Sequence, residues 1–559
     1  MVHDFKLQLQ QLLDDSISQL YGPEHSIPPV ELEVPADRQH GDFATNVAMK
    51  SARLLRQSPM VIARQLVGAF QASLSHASLG SQIARVEVKA PGFINFFLSP
   101  AALSDILKNI LEQNATYGSS TTGQGRSIQI EFVSANPTGP LSVAHARQAA
   151  VGDALGNILA YLGYEVVKEY YVNDEGNQIN LLGDSVRFHA EKLLNQNQSD
   201  PEVHYQGEYI IDLARNYIET YSIQSGVDLT SPEQKNQIRQ FAVDRLMSVI
   251  RSELDDFGVH FDIWSLQSRI ANPSAIENLL GTLRDQKYIY EKDAALWFRS
   301  TDFGDDKDRV VKKSDGSYTY LAPDIVYHQD KFRRGFKKVI NIWGPDHHGY
   351  IPRLKAAVTA LGQSPESLHV LIVQLATIYR DGKPISMSTR KGQYIQLREV
   401  LDEVGRDAAR FFFLMRHLNA HLDFDLELAK KETPENPVYY IQYAHARIHS
   451  IYKKAQEAGV TSDRSDFHLL KEQEEMDLIK TLGHLPYIVQ RCHQEYDPYA
   501  LVNYLMTCAN DFHKFYDRHR VVDSAQPDLS AQRLALIEAT RIVLSNGLRL
   551  LGISRPEKM

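Results

Sequence analysis

The stretch from Glu131 to Leu155, EFVSANPTGPLSVAHARQAAVGDAL, predicts a strand, then a loop of small residues and prolines, then a helix. In a parallel sheet, ligands bind at the carboxyl ends of the strands, and a helix that starts there offers free N–H groups to phosphates. Gly139 permits close approach of a ligand to the loop. His145 lies in the first helical turn and can donate a hydrogen bond to a phosphate oxygen. On this pattern alone, a purely structural histidine explains His145 equally well.

From Ile128 onward, strands alternate with helices. The predicted strands are IQIEFV (128–133), YEVVKEYYV (164–172), KKVINIWG (337–344) and LHVLIVQLATIY (368–379), and YIPRLKAAVTALG (350–362) is a predicted helix. This alternation predicts an α/β fold, a parallel sheet with helices on both faces. Residues from about 180 to 285 are polar, and we expect a helical insertion there.

The two ends of the chain have different patterns. Residues 1–110 predict a small α+β module with an opening helix and a strand pair around Pro91 and Gly92. The Gly/Ser/Thr-rich segment YGSSTTGQGRS (117–127) is the predicted link to the next domain. After about Leu428, apolar residues recur at three- and four-residue spacing, which predicts an all-helical domain. The expected domains are therefore residues 1–110, 120–428 and 429–559.

The composition is that of a globular protein of 559 residues with a formal net charge of −9. This charge argues against an indiscriminate nucleic-acid binder, and we expect no DNA partner, but it is compatible with recognition of one folded RNA. No apolar run approaches the length of a membrane span, and the N-terminus lacks the pattern of a secretion signal. Two cysteines, Cys492 and Cys508, cannot form a disulfide scaffold or a four-cysteine zinc site. We therefore expect a cytoplasmic protein without structural zinc.

Several familiar motifs do not fit. The sequence has no Gly-Lys-Ser/Thr, and GQG at 123–125 precedes its strand, so neither the P-loop nor the dinucleotide fingerprint applies. His445 and His449 are one helical turn apart, but no third ligand accompanies them, and we expect no metal site. KFRRGFKKV (331–339) and HKFYDRHR (513–520) interleave basic and aromatic residues. A solvated face is the ordinary interpretation of both, and RNA contact is an alternative for the second.

The opening stretch resembles the signature of arginyl-tRNA synthetases, a family of class I aminoacyl-tRNA synthetases. In that family the loop ends in His-x-Gly-His, and the corresponding tetrad here is Ser142-Val143-Ala144-His145. The resemblance extends in order over nearly the whole chain, through HGDFATNVAMK (40–50), WGPDHHGYIPRLKAA (343–357) and LDFDLELAKKETPENPVYYIQYAHAR (422–447). The signature residues are Ala135, Asn136, Pro137, Thr138, Gly139, Pro140, Leu141, Ser142, Val143, Ala144 and His145.

The resemblance implies the class I synthetase nucleotide-binding fold. It also implies an N-terminal module that contacts the elbow of tRNA and a C-terminal all-helical anticodon-binding domain. The implied activity is that of an arginine–tRNA ligase. ATP and L-arginine give arginyl-adenylate and pyrophosphate, and the 3′ end of tRNA(Arg) then takes the arginyl group and releases AMP. In this family the first step typically requires bound tRNA. Mg²⁺ is the implied cofactor, and a monomer with no membrane partner is expected.

The resemblance also assigns roles to individual residues. The implied catalytic residues are His145, Ser142 and Arg390. The implied ATP-binding residues are Gly139, His145, Gly344, Asp346, His347, Met387, Ser388 and Arg390. The implied arginine-binding residues are Glu131, Ser134, Asn136, Tyr320 and Asp324, where Asp324 matches the carboxylate that binds the guanidinium. The implied tRNA-binding residues are Tyr443, His445 and Met559.

The sequence departs from the family pattern in both signatures. Ser142 replaces the first histidine of the tetrad and Ala144 replaces its glycine. The second class I signature, Lys-Met-Ser-Lys-Ser, is Ser386-Met387-Ser388-Thr389-Arg390 here, so both lysines are missing and Arg390 is the expected substitute. The alternative to an active ligase is therefore a paralogue that binds tRNA but has lost adenylation.

Overall fold

The computed structural model describes residues 2–22, 27–35, 37–74, 78–196, 204–385, 394–465 and 467–559. Its first elements are α1 (Val2–Tyr21), β1 (Phe43–Thr45), α2 (Val47–Leu55), α3 (Pro59–Leu74), β2 (Ile83–Lys89) and β3 (Phe93–Leu98). The strands form an antiparallel sheet with the order β1-β3-β2. The predicted strand pair around Pro91 and Gly92 is confirmed as β2 and β3. Phe70 of α3 packs edge-on against Phe96 of β3, with 5.4 Å between ring centroids, and both rings are buried.

The central part of the chain contains the remaining strands. Its elements are α4 (Pro100–Gln113), β4 (Ser127–Glu131), α5 (Val143–Tyr161), β5 (Glu165–Val172), α6 (Asn177–Leu193), α7 (Glu208–Tyr221), α8 (Pro232–Asp256), β6 (Ile263–Leu266), α9 (Gln267–Ile270), α10 (Pro273–Asp285), β7 (Ile289–Lys292), β8 (Ala295–Phe298), β9 (Arg309–Lys312), α11 (Leu321–Arg333), β10 (Lys338–Trp343), α12 (Ile351–Ala360), β11 (Leu368–Ile372), β12 (Ala376–Arg380), β13 (Lys383–Pro384), α13 (Leu397–Leu414), β14 (Leu422–Asp425) and α14 (Leu426–Lys430).

Five of these strands form a parallel sheet with the order β11-β10-β4-β5-β6. The buried strands are rich in isoleucine and valine, and Ile130 and Ile340 are fully buried, as expected when helices cover both faces. The predicted α/β fold with a parallel sheet is confirmed. Because the chain builds outward from β4 to β6 and then returns to place β10 on the other side of β4, the strand order reverses between β4 and β10. The crevice at the carboxyl ends of these two strands is where this topology binds ligands.

The polar region predicted as a helical insertion is only partly helical. Helices α6, α7 and α8 fill most of it, but β6 joins the parallel sheet at its edge, beside β5. Trp264 of β6 stacks on Tyr170 of β5, with 4.6 Å between ring centroids. A further antiparallel sheet, β7-β8-β9, follows and was not predicted. All four of these strands span only four residues, too few to produce a clear periodic pattern.

The C-terminal part is helical, as predicted. Its elements are α15 (Pro437–Glu457), α16 (Gln473–Gly483), α17 (Leu485–Glu495), α18 (Tyr499–Arg518) and α19 (Pro527–Leu550). The predicted link at 117–127 packs against this domain, because Gln490 of α17 donates to Ser120 Oγ at 3.0 Å and Thr122 Oγ1 at 2.8 Å. Across the described ranges, no helix has both the length and the apolarity needed to cross a bilayer.

A buried guanidinium connects the C-terminal helices to the parallel sheet. Arg410 of α13 donates to Asp153 of α5 at 2.5 Å, to the Leu551 carbonyl after α19 at 3.0 Å and to the Phe257 carbonyl after α8 at 3.2 Å. Gly552, with φ of 69°, lies against this group, and an added Cβ would come within 2.2 Å of Arg410 Nη2. The helix that begins at the signature loop is therefore anchored to the end of the last helix.

Candidate active site

The loop after β4 turns sharply at two residues that are not glycine. Val133 and Ser134 have positive φ angles of 66° and 39°, which costs roughly 1–2 kcal/mol per residue. This turn brings Ser134 Oγ back to donate to Glu131 Oε1 at 3.0 Å, while the same hydroxyl accepts the Tyr171 N–H at 3.1 Å. Asn136 donates to Gln178 of α6 at 2.7 Å. Glu131, Ser134 and Asn136, the residues expected to bind the amino acid, therefore lie together at the carboxyl end of β4.

The proline-rich part of the loop is covered by the insertion helices. Tyr209 of α7 donates to the Thr138 carbonyl at 2.9 Å, and Glu253 of α8 accepts the Leu141 N–H at 3.2 Å. The Leu397 N–H donates to the Leu141 carbonyl at 2.7 Å, which attaches the loop to the start of α13. An added Cβ at Gly139 would lie 2.9 Å from the Tyr394 hydroxyl and 3.4 Å from the Tyr209 hydroxyl. The loop is thus held from three sides.

His145 is oriented by the residue that replaces the first histidine of the tetrad. The Ser142 backbone N–H donates to His145 Nδ1 at 3.2 Å, and the Ser142 hydroxyl lies 3.1 Å from the same nitrogen. Because a backbone N–H can only donate, Nδ1 is the acceptor and Nε2 carries the proton. Burial lowers the pKa of His145 to about 4, and the nearby charge of Asp346 opposes this shift only in part. At neutral pH the side chain is therefore an uncharged imidazole with Nε2–H as its donor.

The residues expected to bind adenosine follow β10, on the other side of the crevice. An added Cβ at Gly344 would lie 2.7 Å from Asp346 Oδ1 and 3.5 Å from Gln148 Nε2 of α5. Asp346 and His347 are both exposed, and their side chains are 3.4 Å apart. Trp343 packs beside His347, with 5.8 Å between ring centroids. The structure brings Gly344, Asp346 and His347 to the topological switch point opposite His145.

Asp324 lies in the first turn of α11. Tyr350 OH donates to its Oδ2 at 2.5 Å, and in the part of the chain that the structure describes no lysine or arginine pairs with it. Burial raises the pKa of Asp324 to about 7, and the charge of Glu131 adds to this rise. Tyr320, one turn earlier, is 67% exposed and ends the preceding loop. A half-buried carboxyl without a lysine or arginine beside it favours its neutral form, and a bound cation would favour its ionised form.

Beneath Asp324 lies a layer of paired charges that the sequence analysis did not find. Lys331 pairs with Glu131 at 2.5 Å, and Arg334 pairs with Glu169 at 2.8 Å. The segment containing Lys331 and Arg334 was interpreted as a solvated basic face, but Lys331 is fully buried. Each partner is more than 150 residues away in sequence, so no local pattern could have revealed these pairs.

Three of the expected ATP-binding residues, Met387, Ser388 and Arg390, lie outside the described residues. Among the residues that the structure does describe, no group of three or more His, Cys, Asp or Glu side chains could hold a metal ion.

The residues expected to contact tRNA differ in exposure. Tyr443 is half-buried and stacks on Tyr439, with 6.2 Å between ring centroids. Met559 is 51% exposed. His445 is buried, with its Nδ1 2.9 Å from the Pro556 carbonyl and its Nε2 2.8 Å from Ser545 Oγ, and burial lowers its pKa to about 4. The expected contact of His445 with tRNA does not fit this burial, because its ring contacts the C-terminal tail instead.

The reversed strand order, helix α5 with His145 in its first turn and the crevice between them define the catalytic domain of a class I aminoacyl-tRNA synthetase. Three family models match the chain in order: "Arginyl tRNA synthetase N terminal domain" at residues 7–98, "tRNA synthetases class I (R), catalytic domain" at 106–419 and "DALR anticodon binding domain" at 441–559. The chain belongs to the arginyl-tRNA synthetase family.

Relatives of similar length support this assignment. The arginine–tRNA ligase 1 of Halalkalibacterium halodurans is 44% identical over 537 residues, covering 96% of this chain and 95% of that protein. The arginine–tRNA ligase of Syntrophotalea carbinolica is 44% identical over 561 residues, covering 99% and 100%. The solved arginyl-tRNA synthetase of Thermus thermophilus has a TM-score of 0.76 at 20% identity, covering 99% and 100%, and shares the fold.

Proposed function

We propose that this protein is an arginine–tRNA ligase, which activates L-arginine with ATP and transfers it to the 3′ end of tRNA(Arg). The observation that carries the proposal is Asp324, a half-buried carboxylate without a cationic partner among the described residues. A guanidinium is planar, permanently charged and able to bind a carboxylate through two parallel hydrogen bonds. Glu131, Ser134 and Asn136 line the same crevice and are proposed to bind the polar groups of the amino acid. Tyr320 is proposed to cover the bound side chain.

In the first step, a carboxylate oxygen of arginine attacks the α-phosphorus of ATP. The bond to the bridging oxygen breaks, and pyrophosphate leaves. This displacement needs positioning and stabilisation of charge more than covalent help from the protein. We propose that His145 Nε2–H and the start of α5 donate to the phosphate oxygens, with Gly139 and Gly344 beside the bound ATP. Asp346 and His347 are proposed to bind the adenosine.

Magnesium is proposed to arrive on the ATP phosphates, where it would neutralise the charge that develops on pyrophosphate. A dedicated protein site is not needed for that role, because the phosphate oxygens are themselves good ligands for Mg²⁺. Met387, Ser388 and Arg390 of the second signature stay predictions for this end of the nucleotide, with Arg390 replacing the missing lysines.

In the second step, a hydroxyl of the terminal adenosine of tRNA attacks the arginyl carbonyl carbon, and AMP leaves. We propose that residues 1–110 contact the tRNA elbow, that 120–428 form the catalytic domain and that 429–559 bind the anticodon. Tyr443, stacked beside Tyr439, and the exposed Met559 are proposed as anticodon contacts. We also propose that the protein is a monomer. A reducing cytoplasm is the proposed location, because both cysteines are buried thiols that form no disulfide.

The rival function, a tRNA-binding paralogue without adenylation, was motivated by the altered signatures. The geometry of Ser142 weakens that argument, since Ser142 orients the donor nitrogen of His145. Arginine-dependent exchange of pyrophosphate into ATP, measured with tRNA(Arg) present, tests the proposal. Exchange with arginine but not with lysine or citrulline is expected. No exchange with arginine would contradict the ligase function and favour the rival.

A further inference from the structure

Lys331 is a cation in the interior of the amino-acid pocket. Its side chain is fully buried, and its ammonium lies 2.5 Å from Glu131 Oε2. It also donates to Asn341 Oδ1 at 3.0 Å and lies 4.3 Å from the centre of the Tyr327 ring. A buried ammonium costs several kcal/mol unless it is paired and fully hydrogen-bonded, so this position is tolerated only with Glu131 opposite.

The buried charges in this region balance except at one carboxylate. Glu131 is neutralised by Lys331, and Glu169 is neutralised by Arg334, which donates two hydrogen bonds to it at 2.8 and 2.9 Å. Among the residues that the structure describes, the Asp324 carboxylate accepts a hydrogen bond only from the hydroxyl of Tyr350. Of these three carboxylates, only Asp324 has a negative charge available to a ligand.

We propose that Lys331 is a positioning residue that sets the charge specificity of the amino-acid pocket: it neutralises and orients Glu131 and leaves Asp324 as the carboxylate that receives the guanidinium. This inference rests on the proposed function. The ammonium itself is positioned by Asn341 and Tyr327, so Glu131 Oε2 is fixed while Oε1 accepts from Ser134. A pocket with one uncompensated negative charge matches one guanidinium and rejects an uncharged side chain of the same shape.

The ion pair between Lys331 and Glu131 also determines the electrostatic environment of the Asp324 carboxyl. The titratable groups around its carboxyl are Glu131 from β4, Tyr171 from β5, Tyr350 from the turn before α12, and His328 and Lys331 from α11 itself. Glu131 raises the pKa of Asp324, and Lys331 lowers it. Removing the ammonium would leave Glu131 unpaired beside Asp324, and two neighbouring carboxylates resist ionising together.

The test compares Lys331→Met, which keeps the length of the side chain without its charge, with Lys331→Arg, which keeps a charge. The KM values for arginine and for ATP are measured by tRNA-dependent pyrophosphate exchange between pH 6 and 9. In Lys331→Met, we expect the midpoint of the pH dependence of the arginine KM to rise by about one unit. The arginine KM at pH 7 should then rise about fivefold, with the ATP KM unchanged. Lys331→Arg should keep the wild-type midpoint.

An unshifted midpoint in Lys331→Met, or an equal rise in both KM values, would overturn the proposal, because a purely structural role predicts no selective change in pH dependence. The double variant Glu131→Gln/Lys331→Met removes both charges and provides the test if Lys331→Met does not fold. Its midpoint should return to the wild-type value despite weaker arginine binding, and a midpoint raised by about one unit would overturn the proposal. Pyrophosphate exchange by the wild-type protein is the control for the proposed function. If the wild type shows no exchange, the ligase function itself is refuted. If the wild type shows exchange but the variants keep its midpoint, only the role of Lys331 is refuted.

Discussion

Replacing Asp324 with asparagine should make the free protein more stable while it destroys arginine binding. In the wild type the half-buried carboxylate has no lysine or arginine partner among the described residues, and desolvation raises its pKa from 3.8 to about 7. A carboxyl whose pKa is higher in the folded state destabilises the fold progressively as pH rises from its unfolded value through its folded value. The penalty is absent below about pH 4 and complete above about pH 7. Asparagine has nearly the same shape and can still accept from Tyr350.

The gain in folding stability expected for Asp324→Asn follows from the pKa shift of Asp324. A displacement of about 3 pKa units at about 1.4 kcal/mol each gives an upper limit of about 4 kcal/mol at pH 8. For a catalytic domain of roughly 300 residues, this corresponds to an increase in Tm of up to about 6 °C. Removing one partner of a charge-assisted, bidentate pair should weaken arginine binding at least about 100-fold.

Thermal unfolding at pH 5 and pH 8, with calorimetric titration of arginine, measures both effects. The gain in stability should be larger at pH 8 than at pH 5. Asp330→Asn is the matched control: Asp330 lies on the same helix, its side chain is 36% exposed and it pairs with Arg334 at 2.9 Å. That control should change stability by less than about 1 kcal/mol. If Asp324→Asn melts below the wild type at pH 8, Asp324 is a structural acceptor and the cation-site argument is wrong.

Further predictions concern the pH dependence and the first signature. For the wild type, the arginine KM should rise about tenfold for each pH unit below about pH 7, because only the ionised Asp324 binds a guanidinium. The ATP KM should stay constant, and pyrophosphate exchange assays across this pH range measure both values. His145→Ala should lower kcat for exchange by about 100- to 1000-fold through loss of the Nε2–H donor, with little change in the arginine KM; parallel titration of both substrates measures this split. Ser142→Ala should lower kcat by about tenfold, because His145 loses one of the contacts that orient it, and rescue by Ser142→Thr would separate that role from simple packing. The free energy of unfolding should fall as pH drops from about 6.5 towards 4, because His145 and His445 stay neutral in the folded protein while the unfolded chain binds protons. Replacing His445 with glutamine should make the free energy of unfolding depend less steeply on pH, and denaturant titrations at several pH values measure this.

The parts of this protein that could be predicted from sequence are those with a strong local signal. The strand, loop and helix from Glu131 to Leu155 combine the end of an apolar run, a proline–glycine turn and an alanine-rich segment, and the structure contains each element. The long helices of the C-terminal domain were found for the same reason. Strand β6 was missed because it spans four residues and is defined by its pairing with β5.

Contacts between side chains that are far apart in sequence could not be predicted from local patterns. Lys331 lies in a basic, aromatic-containing segment typical of a solvated surface, yet it meets Glu131 from 200 residues away, inside the core. His445 occupies the same helix as Tyr443, but it faces the C-terminal tail, an orientation set by the packing of that tail around Pro556. Ser142 was predicted to be catalytic from its family position, where it replaces a histidine. Its contact with His145 Nδ1 is a property of backbone geometry at the helix start that residue type alone could not specify.

The measurement that tests the central claim most directly is the formation of arginyl-tRNA by the full chain. The protein is incubated with ATP, magnesium, radiolabelled arginine and tRNA(Arg), and the label esterified to the tRNA is counted, with tRNA binding followed in parallel. The account predicts labelled tRNA in amounts that far exceed the enzyme, and none when Asp324 is replaced by asparagine. Tight binding of tRNA(Arg) without any labelled ester from the wild-type protein would contradict it.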